Sequence, residues 1–309
     1  MNPPSTARTT IDLFAWRERA PLPLPRAGCA TGVVAGRILV AGGTYWRDGK
    51  KFWSERTDAF DPLTNRWYSV APLPQPRGDA AALAHAGALY VFGGGADGAA
   101  ESSAWIFQHD SWHALLAMKL PAPRRSAAIV AFGGAMYLLG GLSGTGTDFA
   151  SATPTLWAAK PGHAWEARAP MPGPVRFGAA VGALAGRIVV VGGCTPEKGS
   201  VRNLDEIFAY DPAADAWSAL GRLPVPVRGA CGLVAEGRFL LIGGYTDKFE
   251  TTIFSLDPQS GAASVAGRLP TGLADTRFQQ LGAHVIGVSG ENGIKMRFAG
   301  TIESGATAS

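Results

Sequence analysis

Five arginines stand at matching places along the chain: Arg26, Arg77, Arg124, Arg176 and Arg228. Each closes a proline-rich run, in order PLPLPR, PLPQPR, LPAPRR, PMPGPVR and LPVPVR. Arg277 is a looser sixth. A guanidinium grips a carboxylate or a phosphate through two parallel hydrogen bonds, so arginines converging on one mouth would bind an anion. The same side chains also brace loop carbonyls, and any single one of them can be structural. Glu291 and Asp247 are the candidate acid–base groups. Glu291 is followed by Lys295 and Arg297, and Arg297 joins the other arginines as a candidate substrate contact. A carboxylate held among arginines is expected to be ionised at neutral pH, as a general base or as a structural counter-ion. Tyr45 and Trp46, in TYWRDGKKFWSER, offer an aromatic face to a sugar or an aromatic ligand. The alternative for them is a loop packed on its neighbour.

Other chemistries find little support. The histidines, His85, His109, His113, His163 and His284, are scattered without a metal-ligand spacing, so no metal is expected. There is no GxSxG, no phosphate-binding loop and no dinucleotide fingerprint, so no cofactor is expected either. The net charge of +4 is too weak to suggest nucleic acid. Cys29, Cys194 and Cys231 are too few for a disulfide framework and read as free thiols of a reducing compartment. The first residues show no apolar core of a signal peptide, so the expected location is cytoplasmic. The uncharged stretch from Ser126 to Thr147 is punctuated by glycines and reads as two strands and a loop, with no membrane span expected.

Internal repetition shows what positions these residues. Glycine pairs at Gly42-Gly43, Gly93-Gly94, Gly140-Gly141, Gly192-Gly193 and Gly243-Gly244 end the runs RILVAGG, ALYVFGG, AMYLLGG, RIVVVGG and RFLLIGG. Each run is short, rich in β-branched or aromatic residues and opened by a glycine, the pattern of a buried strand after a tight turn. A tryptophan precedes each pair, at Trp16, Trp67, Trp112, Trp165 and Trp217. Asp-Pro marks a hairpin turn at Asp61-Pro62, Asp211-Pro212 and Asp257-Pro258, because aspartate caps the following backbone and proline fixes φ. Four antiparallel strands in roughly fifty residues make one blade of a propeller.

The combination of glycine pair, Asp-Pro and tryptophan resembles the kelch repeat. The resemblance implies an all-β, six-bladed kelch propeller. A sixth unit is degenerate, with Ala263 in place of tryptophan and Ser289-Gly290 in place of the pair. Trp16 has no strands of its own before it, so the segment near Leu13–Arg17 is expected to supply the outer strand of the last blade. One domain over 10–303 follows, with blades at about 22–71, 72–119, 120–169, 170–221, 222–267 and 268–303 plus 11–20. The ends 1–9 and 304–309 are expected to be disordered.

The six-blade architecture and the final Gly290-Glu291-Asn292 segment with Lys295 and Arg297 also resemble the N-acetylneuraminate epimerase (sialic acid mutarotase) group. That resemblance implies interconversion of the anomers of an acidic sugar, with arginines on its carboxylate. An anionic small molecule is therefore the expected partner. The alternative is a non-catalytic kelch module that binds a protein or another ligand.

Overall fold

The computed structural model describes residues 9–144, 149–257 and 259–308. Six four-stranded antiparallel sheets stand around one axis. Their innermost strands are Ala30–Val34, Ala81–His85, Ala128–Phe132, Ala180–Leu184, Cys231–Ala235 and Arg277–Leu281, and these head blades 1 to 6. Each innermost strand turns tightly into the apolar run that the sequence singles out. At the first of these turns Ala35 and Gly36 both have positive φ, 50° and 75°. This is the primed turn whose twist matches the flanking strands. The core is the set of interfaces between blades; Leu39 and Ala41 of blade 1, for example, cluster with Leu73, Leu89, Val91 and Phe107 of blade 2.

The repeat residues hold the blades to one another. The indole N–H of Trp67 donates to the Ala20 carbonyl, Trp112 to Ala71, Trp165 to Met118 and Trp217 to Ala169, at 2.8–3.0 Å. Each acceptor lies at the end of the preceding blade. The second glycine of each pair donates its amide to the next blade: Gly43 to the Arg77 carbonyl, Gly94 to Arg124, Gly141 to Arg176, Gly193 to Val227 and Gly244 to Leu273. Gly290 closes the circle on the Arg26 carbonyl at 2.9 Å. A Cβ on Gly42 would come within 2.4 Å of the Arg77 carbonyl oxygen, which is why no larger residue fits there. Asp61, Asp211 and Asp257 each cap two following amides through Oδ1. The Asp-Pro partner Pro258, like Gly146 and Thr147 of the uncharged stretch, lies outside the described residues.

The last blade closes as the sequence implies. Its strand order places Thr9–Arg19 outermost, against Thr301–Ala308. The expected end of the propeller at 303 is corrected by this pairing: the strand continues to Ala308, because the eleven-residue N-terminal strand offers backbone partners along that whole length. Of the ends expected to be disordered, residues 1–8 and 309 lie outside the described residues. At the seam Glu303 is buried and bonds Arg17 at 2.9 Å, with Arg19 and His284 beside it.

Among the described residues no helix is long and apolar enough to cross a membrane.

Candidate functional site

The arginine funnel expected from the sequence does not form. Arg26, Arg77, Arg124 and Arg176 are buried, at most 4% exposed, and their side chains run back into their own blades. Arg26 bonds Asp58 at 2.9 Å and the Val40 carbonyl at 3.2 Å. Arg77 bonds the Gly93 carbonyl at 2.9 Å and Ser103 Oγ at 3.0 Å. Arg124 bonds Thr155 Oγ1 at 3.1 Å and lies over the Trp157 ring, and Arg176 bonds the Gly192 carbonyl at 3.1 Å and lies over Phe208. These four brace the strand ends behind the channel.

Arg228 differs because it is one residue out of step. Where blades 1 to 4 present an arginine carbonyl to the glycine clasp, blade 5 presents that of Val227 and blade 6 that of Leu273. Blade 4 carries one more residue in the same run and absorbs it at Gly173, φ 78°. The near-identical strings PGPVR and PVPVR therefore sit in different registers. Arg228 lines the channel mouth, stacked 4.5 Å over Tyr245 and held by Asn203 Oδ1 at 2.7 Å.

The mouth is built where two loops of each blade meet. The residue three places before each inner strand bridges the residue after the glycine pair: Ala27 with Thr44, Gly78 with Gly95, Arg125 with Leu142, Phe177 with Cys194, Arg228 with Tyr245 and Ala274 with Glu291. Next inward comes a ring of residues with positive φ: Gly28, Asp79, Ser126, Gly178, Gly229 and Asp275. The ring is tied by amide-to-carbonyl bonds from Asp79 to Gly28 and on round to Asp275 on Gly229. Beneath lies a cavity of about 890 Å³ walled by the small residues of the inner strands, such as Ala82, Ala128 and Gly182.

Asp79, Arg228, Asp275, Arg277, Glu291 and Lys295 line this mouth, together with Phe177, Cys194 and Phe249. Glu291 Oε1 accepts from Arg297 Nη1 at 2.6 Å. Burial nonetheless pushes the Glu291 carboxyl up to about 7, with the charges of Asp275 and Asp79 adding to the rise and Arg297 opposing it. The expectation of an ordinary ionised carboxylate is thus corrected: burial and two like charges outweigh the one close arginine. Burial also raises Asp275, and the charge of nearby Arg277 works against that rise. Cys194, whose thiol burial pushes up to about 12, is no nucleophile.

The other sequence candidates lie outside the cavity lining. Arg297 sits behind Glu291, with Nε on the Thr44 carbonyl at 3.0 Å and Nη2 on Thr44 Oγ1 at 3.2 Å, and so positions the carboxylate. Asp247 is at an exposed turn tip, bonded to Thr246 Oγ1 at 2.9 Å, which holds its carboxyl below the usual range. It is not placed to serve as an acid–base group of this cavity. Tyr45 stacks on Phe52 across its own hairpin at 5.4 Å, and Trp46 packs under Lys295 of blade 6 at 5.0 Å. Trp46 thus meets the neighbouring blade, whereas Tyr45 packs within its own hairpin. The residues the sequence reading missed are Asp79 and Asp275. Their signal was their place in the repeat, since the ring position is otherwise glycine or serine.

The Kelch motif matches residues 25–74 and 176–224, and with six sheets of four strands around one axis the chain is a six-bladed kelch propeller. Over 208 residues, 66% of the chain, it is 30% identical to Kelch-like protein 35 of Mus musculus, matching 25% of that protein. Over 125 residues, 38% of the chain, it is 34% identical to N-acetylneuraminate epimerase of Brucella suis, matching 31% of that protein. The matched regions thus span about a quarter to a third of these relatives. The solved structure of YjhT superposes with a TM-score of 0.73 over 93% of this chain and 95% of that one, at 16% identity, a likeness of fold.

Proposed function

We propose that the mouth binds an acidic sugar and interconverts its anomers. The observation that carries this reading is Glu291, a carboxyl pushed up to about 7 at the lip of an 890 Å³ cavity that Arg228, Arg277 and Lys295 also line. Opening a sugar hemiketal requires one group to protonate the ring oxygen while another accepts the anomeric hydroxyl proton. A carboxyl that titrates near neutrality serves in either direction. The arginines and the lysine would hold the sugar carboxylate, and Arg297 would fix the angle of Glu291. The likeness to a protein named N-acetylneuraminate epimerase agrees with this choice of substrate class.

The test is proton NMR of N-acetylneuraminate freshly dissolved as one anomer. The protein should speed the approach to anomeric equilibrium, and Glu291→Gln should abolish the acceleration. Absence of acceleration by the wild type sinks the reading. It would then favour a non-catalytic binding module, for which Ile294 and Met296, 83% and 58% exposed beside the mouth, offer an apolar contact.

A further inference from the structure

Asp275 and Glu291 are neighbours by construction. Ala274 and Glu291 exchange both backbone hydrogen bonds, at 2.9 and 2.8 Å, which puts Asp275 and Glu291 on the same lip of the cavity. Asp275 turns its carboxylate over the preceding blade: a Cβ on Gly229 would stand 2.9 Å from Asp275 Oδ1. Asp79 does the same over Gly28, where the corresponding distance is 2.3 Å. The small ring members therefore leave room for two carboxylates. Among the described residues neither aspartate side chain has a hydrogen bond or ion pair, although Arg228 and Arg277 line the same mouth.

We propose that Asp275 is the second acid–base group of this site, paired with Glu291, and that Asp79 is a positioning residue that keeps one proton on the pair. The assignment rests on the mutarotase reading above. In the opening step Glu291 donates its proton to the ring oxygen as the ring C–O bond breaks. Asp275 takes the proton of the anomeric hydroxyl, whose C–O bond becomes the carbonyl. The carbonyl then presents its other face, and both transfers run backwards to give the second anomer and the starting protonation. One proton shared between two carboxyls is what this cycle needs, and like charges at close range favour that state.

The groups facing Glu291 set the balance. Asp275 and Asp79 raise it, while Arg297 on its own hairpin and Lys51 on the blade 1 hairpin lower it. Arg277 and Arg228 act in the same lowering sense on Asp275. Lys295 lies on the Trp46 ring at the same lip.

The test joins two measurements on the full chain. Carbon NMR of glutamate labelled at the side-chain carboxyl follows Glu291, assigned by its loss in Glu291→Gln. Proton NMR follows anomer exchange of N-acetylneuraminate against pH. Asp275→Asn and Asp79→Asn should each lower the Glu291 midpoint by about one pH unit. Asp275→Asn should slow exchange by about a hundredfold or more, the ordinary worth of an acid–base group. Asp79→Asn should keep exchange but move its optimum to lower pH, a change that a merely structural role would not produce. Wild-type exchange rates in Asp275→Asn, or a Glu291 midpoint unmoved by either substitution, would overturn the proposal while leaving the mutarotase reading standing. A wild type that shows the coupled titration but exchanges no anomers would overturn that reading, and the catalytic role of Asp275 with it.

Discussion

Arg26 Nη2 and Asp58 Oδ2 meet at 2.9 Å with both side chains fully buried. The same guanidinium nitrogen reaches the Val40 carbonyl, and Asp58 also takes Arg56 and Ser69. The pair ties the inner loop of blade 1 to two of its strands, while the Arg26 backbone carbonyl receives Gly290 of blade 6. A residue type chosen elsewhere for anion binding is here a structural brace, and its position behind the channel decides which.

Replacing this arginine should therefore damage the fold without touching the site. Arg26→Ala leaves Asp58 buried without its closest buried cation, a loss of about 3–5 kcal/mol. Arg26→Lys should recover part of the loss, since both bonds leave a single nitrogen and an ammonium carries three donors. Urea unfolding measures the first effect, and binding of an acidic sugar to the folded fraction should be unchanged. A loss of affinity at equal stability would return Arg26 to the ligand.

The repeat made the blade count, the inner strands and the closure readable, because each depends on local marks: a primed turn, a glycine pair, an aspartate cap. The site was less readable because it depends on register. PGPVR and PVPVR look alike, yet the additional residue at Gly173 places Arg176 behind the channel and leaves Arg228 in it. Asp79 and Asp275 carry no motif of their own. They differ only in being acidic where the other blades have glycine or serine.

The seam of blade 6 gives a second prediction. Deleting residues 1–20 removes the outer strand, the Ala20 carbonyl that receives Trp67, and both arginines on Glu303. The truncated protein should lose several kcal/mol, because an edge is bared and a buried carboxylate loses its partners. A melting temperature equal to that of the full chain would show that the seam contributes nothing.

Acid should open the same seam. Burial works to raise the Glu303 carboxyl, but the hydrogen bond from Arg17 and the charges of Arg19 and Arg17 outweigh it and hold the group below its ordinary value. A depressed carboxylate stabilises the fold above the unfolded value of about 4.3 and loses that contribution as pH falls through the folded value. Glu303→Gln should therefore lower stability at neutral pH and flatten the acid limb of the stability profile. An acid limb that keeps its wild-type steepness would exclude Glu303 as its source.

Anion binding should depend on the two arginines that line the cavity. Arg228→Ala and Arg277→Ala should each weaken an acidic sugar by about 2 kcal/mol, and wild-type affinity should fall as salt rises, since part of the attraction is screened. Calorimetry at two ionic strengths with N-acetylneuraminate measures both. Equal losses at Arg77→Ala and Arg228→Ala would mean that the buried arginine reports on folding and that the mouth assignment is wrong.

Glu291 should leave its own mark on stability at the opposite side of the acid range. Its carboxyl is pushed up to about 7 in the fold, while an unfolded glutamate titrates near about 4.3. Between those values the folded state binds more protons than the unfolded one, so the contribution is full below about 4.3 and declines as pH climbs through about 7. The wild-type stability minus that of Glu291→Gln should therefore fall between pH 5 and pH 7.5 and run flat above. Partial exposure of the side chain reduces the full linkage value, and the fall should be about 1–3 kcal/mol. Urea unfolding at half-unit pH steps gives the profile. A difference that is flat across the window, or that grows with pH, would mean that Glu291 ionises as an ordinary carboxylate and cannot supply a proton at neutrality.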